Sequence, residues 1–248
     1  MIDVSHLTKT YGDLTAVNDL SFEVKPGEIV GLIGPNGAGK TSTLRCLVGI
    51  QRPTRGHVAI GGHDIVDDAV EAKRLLAFMA DEPQLFDYLT VTEHLRLAGR
   101  IYAVANVDEK ARVLLEELQL SDKANALPGA LSRGMKQKVA IACGLLHDPA
   151  VLLFDEPLTG LDPLGIRRMR ETIVTRGRNG GAVIVSSHLL HLVEEICTRI
   201  VIIDRGTKVA DGTLDELSAQ ARLAGAGSGL EQIFLSVTAH DGTEQATP

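Results

Sequence analysis

Aromatic residues and positive charge are scarce in this 248-residue sequence. Trp is absent, and Phe, Trp and Tyr together make up 3% of the residues. Unpaired bases are usually gripped on aromatic faces, so this scarcity argues against a single-stranded nucleic-acid binder. The net charge of −7 argues against a protein that neutralises phosphates of a duplex. We therefore expect no nucleic-acid partner.

Cysteines and long apolar runs are scarce as well. The three cysteines Cys46, Cys143 and Cys197 are widely separated and form no Cys-x-x-Cys pair, so a reduced, cytoplasmic protein is expected. No apolar stretch approaches the roughly 20 residues that cross a bilayer. The first residues lack the basic and apolar regions of a secretion signal, which supports the same location.

The pattern of apolar residues predicts an α/β protein with a mostly parallel sheet. Alternating segments at Ile2 to Leu7 and Thr15 to Val24 predict an antiparallel pair of strands. Short continuous apolar runs predict buried strands at residues 28–34, 75–80, 151–154, 182–186 and 199–203. Between about 84 and 148, three segments of helical period and no convincing strand predict a helical insertion.

A phosphate-binding motif follows the strand predicted at residues 28–34. The motif G-x-x-x-x-G-K-[ST] is satisfied by Gly34-Pro35-Asn36-Gly37-Ala38-Gly39-Lys40-Thr41, directly before a predicted helix. Glycines let consecutive amides turn toward one anion, and the helix adds the positive end of its dipole. Lys40 supplies a mobile cation, and the Thr41 hydroxyl can bind Mg²⁺. A glycine-rich turn without function is the alternative, and the strand and helix on either side argue against it.

Two carboxylates, Asp155 and Glu156, follow the apolar strand at residues 151–154. In a parallel sheet they would lie beside the phosphate loop. Asp155 can then hold the Mg²⁺ shell, and Glu156 can polarise the water that attacks the γ-phosphate. An Asp-Glu pair at a strand end is by itself more often a solvated turn, so this interpretation depends on the phosphate loop.

Further motifs resemble those of the nucleotide-binding subunit of an ATP-binding cassette (ABC) transporter. Leu-Ser-Arg-Gly-Met at residues 131–135 resembles the family's Leu-Ser-Gly-Gly-Gln signature, Gly160-Leu161-Asp162 its D-loop, and Ser186-Ser187-His188 its switch histidine. The resemblance implies a P-loop NTPase core with a mostly parallel sheet, an N-terminal antiparallel β subdomain and an inserted α-helical subdomain. It also implies ATP hydrolysis with Mg²⁺, in a head-to-tail dimer with an identical or paralogous second subunit.

The resemblance also implies a role for individual residues. Glu156 and His188 would be catalytic, with His188 sensing the γ-phosphate, and Tyr11 would stack on adenine. Ser132 and Gly134 would bind ATP held by the second subunit, and Asp162 would link the two sites. The implied nucleotide-binding set is Tyr11, Gly34, Pro35, Asn36, Gly37, Ala38, Gly39, Lys40, Thr41 and Ser42, and the implied Mg²⁺ ligands are Thr41 and Asp155.

Four of these residues have simpler structural alternatives. Ser132 can be a helix N-cap and nothing more, and Asp162 can cap a helix whose first residue is Pro163. His188 can be a satisfied polar group near the core, and Tyr11 can be a packing residue at a strand end. For Ser132 and Asp162, the cap and the functional role can hold together.

The sequence departs from the family pattern at Asp81, where most members have Gln after the strand that ends near Ala80. An ionised Asp accepts but cannot donate a hydrogen bond, so we expect altered coupling at this loop. The region from Asp81 to about Arg100 would form the groove that receives a coupling helix from a polytopic membrane subunit. Exposed apolar residues such as Phe86 and Leu89 would suit that contact.

The sequence therefore predicts an ATPase subunit that powers a separate membrane subunit and lies peripherally on the inner face of the membrane. Residues 1–220 would form the ABC domain, with an α/β core at about 1–83 and 149–213 and a helical subdomain at about 84–148. Residues 221–248 would be a short extension with a frayed tail. Segments 131–137 and 229–234 resemble the ABC-2 type branch, mostly exporters.

Two other functions are the alternatives. One is a soluble ABC ATPase acting on ribosomes or DNA, although a single phosphate loop, the absence of sustained heptads and the acidity of the chain argue against it. The other is a regulatory cassette that binds ATP but hydrolyses it weakly.

Overall fold

The computed structural model describes residues 1–159, 162–223 and 229–238. The strands of this part are β1 Ile2–Tyr11, β2 Leu14–Val24, β3 Ile29–Ile33, β4 Arg55–Ile60, β5 His63–Asp64, β6 Leu76–Met79, β7 Val151–Asp155, β8 Ala182–Ser186, β9 Arg199–Asp204 and β10 Thr207–Gly212. Its α-helices are α1 Lys40–Leu47, α2 Ala69–Arg74, α3 Val91–Ile101, α4 Val107–Glu117, α5 Arg133–Leu145, α6 Pro163–Arg178, α7 Leu190–Ile196, α8 Leu214–Leu223 and α9 Leu230–Thr238. Short 3-10 turns lie at Ser121–Lys123 and Pro128–Ala130.

The larger sheet has six strands in the order β10-β9-β3-β8-β7-β6. The five strands from β9 to β6 are parallel, and β10 is antiparallel to β9. Every residue of β3, β7 and β8 is buried, as their continuous apolar runs predict. Because these three strands are neighbours and parallel, the segments that follow them meet at one edge of the sheet.

The smaller sheet is antiparallel, in the order β2-β1-β4-β5. Its first two strands agree with the predicted pair, but β4 and β5 have no clear sequence signal because they are short and mostly not buried. Helix α1 packs between the two sheets. Its Leu44 and Leu47 share one core with Val4 and Leu20 of the small sheet and Leu153 of the large one, which holds the start of α1 in place.

Between β6 and β7, residues 80–150 are described throughout and contain helices and short 3-10 turns but no strand. Helices α3, α4 and α5 contribute Leu95, Leu115 and Val139 to a core that includes Phe154 of β7. The helical period predicts segments from Thr90 to Ala105 and from Val107 to Leu120, but α3 and α4 end at Ile101 and Glu117. They end earlier because Ala103 and Gln119 adopt φ of +52° and +57°, a conformation that terminates helices. The predicted fold class, with its helical insertion, is confirmed.

The subdomain boundaries remain predictions. Of the extension expected at residues 221–248, residues 224–228 and 239–248 lie outside the described residues. Within the described ranges, no helix combines the length and the apolar character that crossing a bilayer demands.

Candidate functional site

The loop between β3 and α1 packs closely against its neighbours. A Cβ on Gly34 would lie 2.2 Å from the Ile203 carbonyl oxygen, and a Cβ on Gly39 would lie 2.3 Å from the Ala16 carbonyl oxygen. Gly37 and Gly39 have φ of +80° and +102°, values that residues with a Cβ rarely adopt. Glycine is therefore required both for close packing and for the turn of the backbone.

This loop has the features of an anion site. The N–H groups of Gly39, Lys40 and Thr41 have no acceptor in the part of the chain that the structure describes, as expected at a helix start. The Lys40 ammonium donates to the carbonyl oxygens of Gly34 at 2.6 Å and Pro35 at 3.0 Å, so it lies over the loop. Free amides, the helix dipole and this cation together favour a phosphate.

Asp155, at the end of β7, faces the same loop and is 6% exposed. Burial raises the pKa of Asp155, and the hydroxyls of Thr41 and Ser186 oppose that shift. Burial likewise lowers the pKa of Lys40, while Glu156 and Asp155 oppose the change. These mutual effects place the predicted cation, hydroxyl and carboxylates in one site.

The residues of this site fit a Mg²⁺ ion. The Thr41 hydroxyl and the Asp155 carboxylate are hard oxygen donors, which Mg²⁺ prefers, and Mg²⁺ usually takes only one or two protein ligands beside phosphates and water. The described residues contain no group of three or more His, Cys, Asp or Glu side chains that could hold a metal.

Glu156 occupies a strained position next to the site. Its φ is +51°, uncommon for a residue with a side chain and often found where function requires it. Its amide donates to the Ser186 carbonyl oxygen at 2.9 Å, which fixes this conformation. Its Oε2 lies 2.8 Å from His188 Nδ1. Glu156 Oε1 and His188 Nε2 have no hydrogen-bond partner among the described residues, so both can face a ligand.

Tyr11 ends β1 beside the predicted nucleotide set. Its hydroxyl donates to Gln51 Oε1 and lies 3.5 Å from Ser42 Oγ. The Lys9 ammonium lies 5.0 Å from the centre of its ring. The contact with Ser42 places Tyr11 near the phosphate loop, and adenine stacking remains a prediction. Sequence reasoning missed Gln51, for which no motif gives a signal.

The signature and D-loop residues lie at two other helix starts. Ser132 caps α5 by accepting a hydrogen bond from the Met135 amide at 3.2 Å, and Asp162 caps α6 by accepting one from the Gly165 amide at 2.6 Å. In the described chain, no hydrogen bond or ion pair joins Ser132 or Gly134 to the phosphate loop. Gly160 and Leu161 lie outside the described residues.

The structure gives Asp81 a partner that sequence reasoning missed. Arg133 Nη2 donates to Asp81 Oδ1 at 2.9 Å. The sequence contains a signal for this contact, because Asp81 and Arg133 both depart from the family pattern and carry opposite charges. Nearby, the apolar surface differs from expectation: Phe86 is exposed as predicted, but Leu89 is half-buried and Tyr88 is 92% exposed. The Leu89 amide donates to the Phe86 carbonyl oxygen at 3.1 Å and closes a turn there.

Comparison with known proteins agrees with this geometry. The family model described as ABC transporter matches residues 17–159. The ABC-type transporter ATP-binding protein EcsA of Bacillus subtilis (strain 168) is 34% identical over 243 residues, which are 97% of this chain and 98% of EcsA. A solved ATP binding subunit of an ABC transporter has a TM-score of 0.91 and 35% identity, over 96% of this chain and 100% of that one.

A second similar solved structure is that of a dimer. The ATP-binding cassette MJ0796, described as a dimer bound to ADP and Pi after hydrolysis, has a TM-score of 0.79 and 26% identity, over 86% of this chain and 98% of that one. Fold and site therefore define a cassette that binds and hydrolyses ATP with Mg²⁺. The chain belongs to the ABC transporter family, as an ATPase subunit that powers transport, and the predicted family and activity are confirmed.

Proposed function

We propose that two copies of this cassette, or this chain and a paralogue, close on two ATP molecules, each held between the phosphate loop of one subunit and the α5 start of the other. The observation that carries this proposal is the separation of the two anion-binding helix starts. Residues 39–41 and residues 132–134 both present helix N-termini, yet no hydrogen bond or ion pair joins them within the described chain. A second subunit would bring them together.

Within one subunit, the phosphate loop and Lys40 hold the β- and γ-phosphates through free amides and the ammonium group. Thr41 and Asp155 would hold Mg²⁺, which when bound neutralises charge on the phosphate oxygens. Tyr11 stacks on adenine beside Ser42. Across the dimer, Ser132 and Gly134 approach the γ-phosphate and Asp162 contacts the opposite site.

Glu156 orients and polarises the attacking water. Its carboxylate is held by His188 through Oε2, which leaves Oε1 for the water. His188 uses Nδ1 for Glu156, so its Nε2 is the atom that meets the γ-phosphate, and it donates a hydrogen bond there when both ring nitrogens carry a proton. The strained backbone of Glu156 keeps the carboxylate at the mouth of the loop, since the residue cannot relax without breaking its bond to Ser186.

The Glu156→Gln variant tests this role. The amide cannot accept a proton, so ATP turnover falls by at least about 100-fold, while ATP binding persists and the dimer stays closed. Phosphate release and size-exclusion chromatography with ATP measure the two effects. Glu171→Gln, which only breaks an exposed ion pair with Arg167, is the matched control. Turnover in the Glu156 variant equal to that of the control would falsify the role.

The second part of the proposal is a docking site for a helix of a polytopic membrane subunit. A groove with a volume of about 420 Å³ is lined mainly by apolar residues of the 83–86 segment, α3 and α5. Ile50, Phe86 and Ile101 line it and are exposed. An apolar patch of this kind marks an interaction site, and the helix-in-groove mode suits its shape. Docking there places the chain on the cytoplasmic side of the membrane.

Substitution of Ile101 by Asp puts a charge into the groove. The membrane subunit then no longer co-purifies, while basal ATP turnover of the cassette is unchanged because α3 contributes no residue to the phosphate site. Val70→Asp, at an equally exposed apolar residue of α2 outside the groove, is the control. Retention of the membrane subunit by the Ile101 variant would rule out this groove.

Export is the direction of transport that we favour. The motif runs at 131–137 and 229–234 resemble the ABC-2 type branch, and one relative, the SkfA peptide export ATP-binding protein SkfE, is 38% identical over 89% of this chain. Uptake assays and efflux assays with the assembled transporter distinguish the two directions. Uptake driven by ATP inside the cell would contradict export.

A further inference from the structure

The loop after β6 and the signature helix α5 are joined by two contacts one helical turn apart. Arg133, the first residue of α5, pairs with Asp81 at 2.9 Å. Gln137, which is 2% exposed, donates through Nε2 to the Ala80 carbonyl oxygen at 3.2 Å. Residues four apart share one helix face. One face of α5 is therefore fastened to the loop by an outer ion pair and an inner hydrogen bond.

The ion pair lies between two functional segments. Arg133 stands between Ser132 and Gly134, the two residues proposed to meet the second subunit's ATP, but its own side chain reaches back to Asp81 of the same chain. Asp81 in turn begins the segment whose residues Pro83, Gln84 and Phe86 line the docking groove. A movement of this segment would therefore reach the start of α5 through the Asp81–Arg133 ion pair and the Gln137–Ala80 hydrogen bond.

We infer that the Asp81–Arg133 pair is a positioning contact, which sets the angle of the signature helix for ATP-driven closure and links that angle to the docking groove. An amide at position 81 could not form an ion pair, and the departure from the family pattern at Arg133 supplies the complementary charge. A carboxylate near the start of α5 also interacts favourably with the helix dipole. This inference rests on the proposed composite ATP site.

The experiment uses the full chain in a Glu156→Gln background, where the closed dimer accumulates. Analytical ultracentrifugation gives the ATP concentration at half-maximal dimer formation. We expect Asp81→Asn and Arg133→Gln each to raise it about three- to tenfold, since an exposed pair is weak but two pairs act per dimer. The exchanged pair Asp81→Arg with Arg133→Asp restores it to within about twofold of the parent. ATP binding by the monomers is measured in parallel. This measurement identifies any variant in which the phosphate loop itself binds ATP more weakly.

Arg96→Gln is the matched control. It breaks another exposed ion pair, Arg96–Asp108 at 2.7 Å, which joins α3 to α4 without touching the loop after β6, and it leaves the ATP concentration unchanged. The inference is overturned if the single variants behave like this control, or if the exchanged pair is as impaired as the two single changes combined. Failure of the parent to dimerise with ATP would instead refute the composite site, and the inference with it.

Discussion

Single residues of the phosphate loop are held by contacts with backbone atoms, which cannot move aside as flexible side chains do. Around Gly34, the nearest atom to an added methyl group would be the Ile203 carbonyl oxygen of β9, followed by the Ala38 Cβ at 2.9 Å. Close packing of this kind fixes the position of the loop relative to the large sheet. It also makes the loop sensitive to the smallest possible substitution.

Gly34→Ala should therefore destabilise the fold by roughly 1–3 kcal/mol, the usual cost of overpacking, and weaken ATP binding. Urea unfolding and a nucleotide titration measure the two effects. Gly129→Ala is the control, because a Cβ there meets no heavy atom within 4 Å and its φ is not positive. We expect that control to change stability by less than about 0.5 kcal/mol. Equal effects at the two glycines would contradict the packing argument.

At the scale of helices, the N-cap of α5 serves stability and, in our proposal, ATP binding in the partner's site. Helix α3 offers a comparison, because Thr90 caps it in a capping box with Glu93 and has no part in the proposed site. Loss of a cap hydroxyl costs typically about 1 kcal/mol. A comparison of variants at the two caps therefore distinguishes a structural role of Ser132 from a functional one.

Ser132→Ala and Thr90→Ala should lower the free energy of unfolding by similar amounts, about 1 kcal/mol each. Only Ser132→Ala should reduce ATP turnover strongly, since only that hydroxyl is proposed to meet the γ-phosphate. Thermal unfolding and phosphate release on the two purified variants measure this. If turnover falls equally in both, Ser132 is a cap and nothing more.

At the scale of the whole molecule, the composite site predicts complementation between two defective chains. A Lys40→Ala dimer and a Ser132→Ala dimer each have two damaged sites. A mixed dimer has one doubly damaged site and one intact site, because in the proposed composite site Lys40 of one chain faces Ser132 of the other. Random 1:1 mixing gives half mixed dimers, so up to about a quarter of normal turnover should return.

Phosphate release from the mixture, compared with each variant alone, measures this recovery. Turnover that stays at the average of the two variants would mean that each chain completes its own site. A mixture of Lys40→Ala with Asp155→Asn is the control. Those two residues act in the half of the site that contains the phosphate loop of their own chain. In a mixed dimer each of the two sites therefore carries one defect, and no activity returns.

Much of this architecture was predictable, because the signals are local. The phosphate motif is contiguous, and buried strands such as β3 and β7 are continuous apolar runs that only a covered sheet accommodates. Short elements were not predictable. In β4, just two of six residues are buried, so its apolar alternation is too brief to distinguish a strand from a loop.

Residues adjacent in the chain were enough to identify the phosphate loop, the carboxylates at the carboxyl end of β7 and the cap residues of α5 and α6. The packing of the fold was needed to reveal that Glu156 contacts His188, 32 residues away, and that Asp81 contacts Arg133, 52 residues away. The first contact requires β8 to lie beside β7, and the second requires α5 to pack against β6. Both depend on the order of strands and on burial of whole faces, which no local pattern encodes.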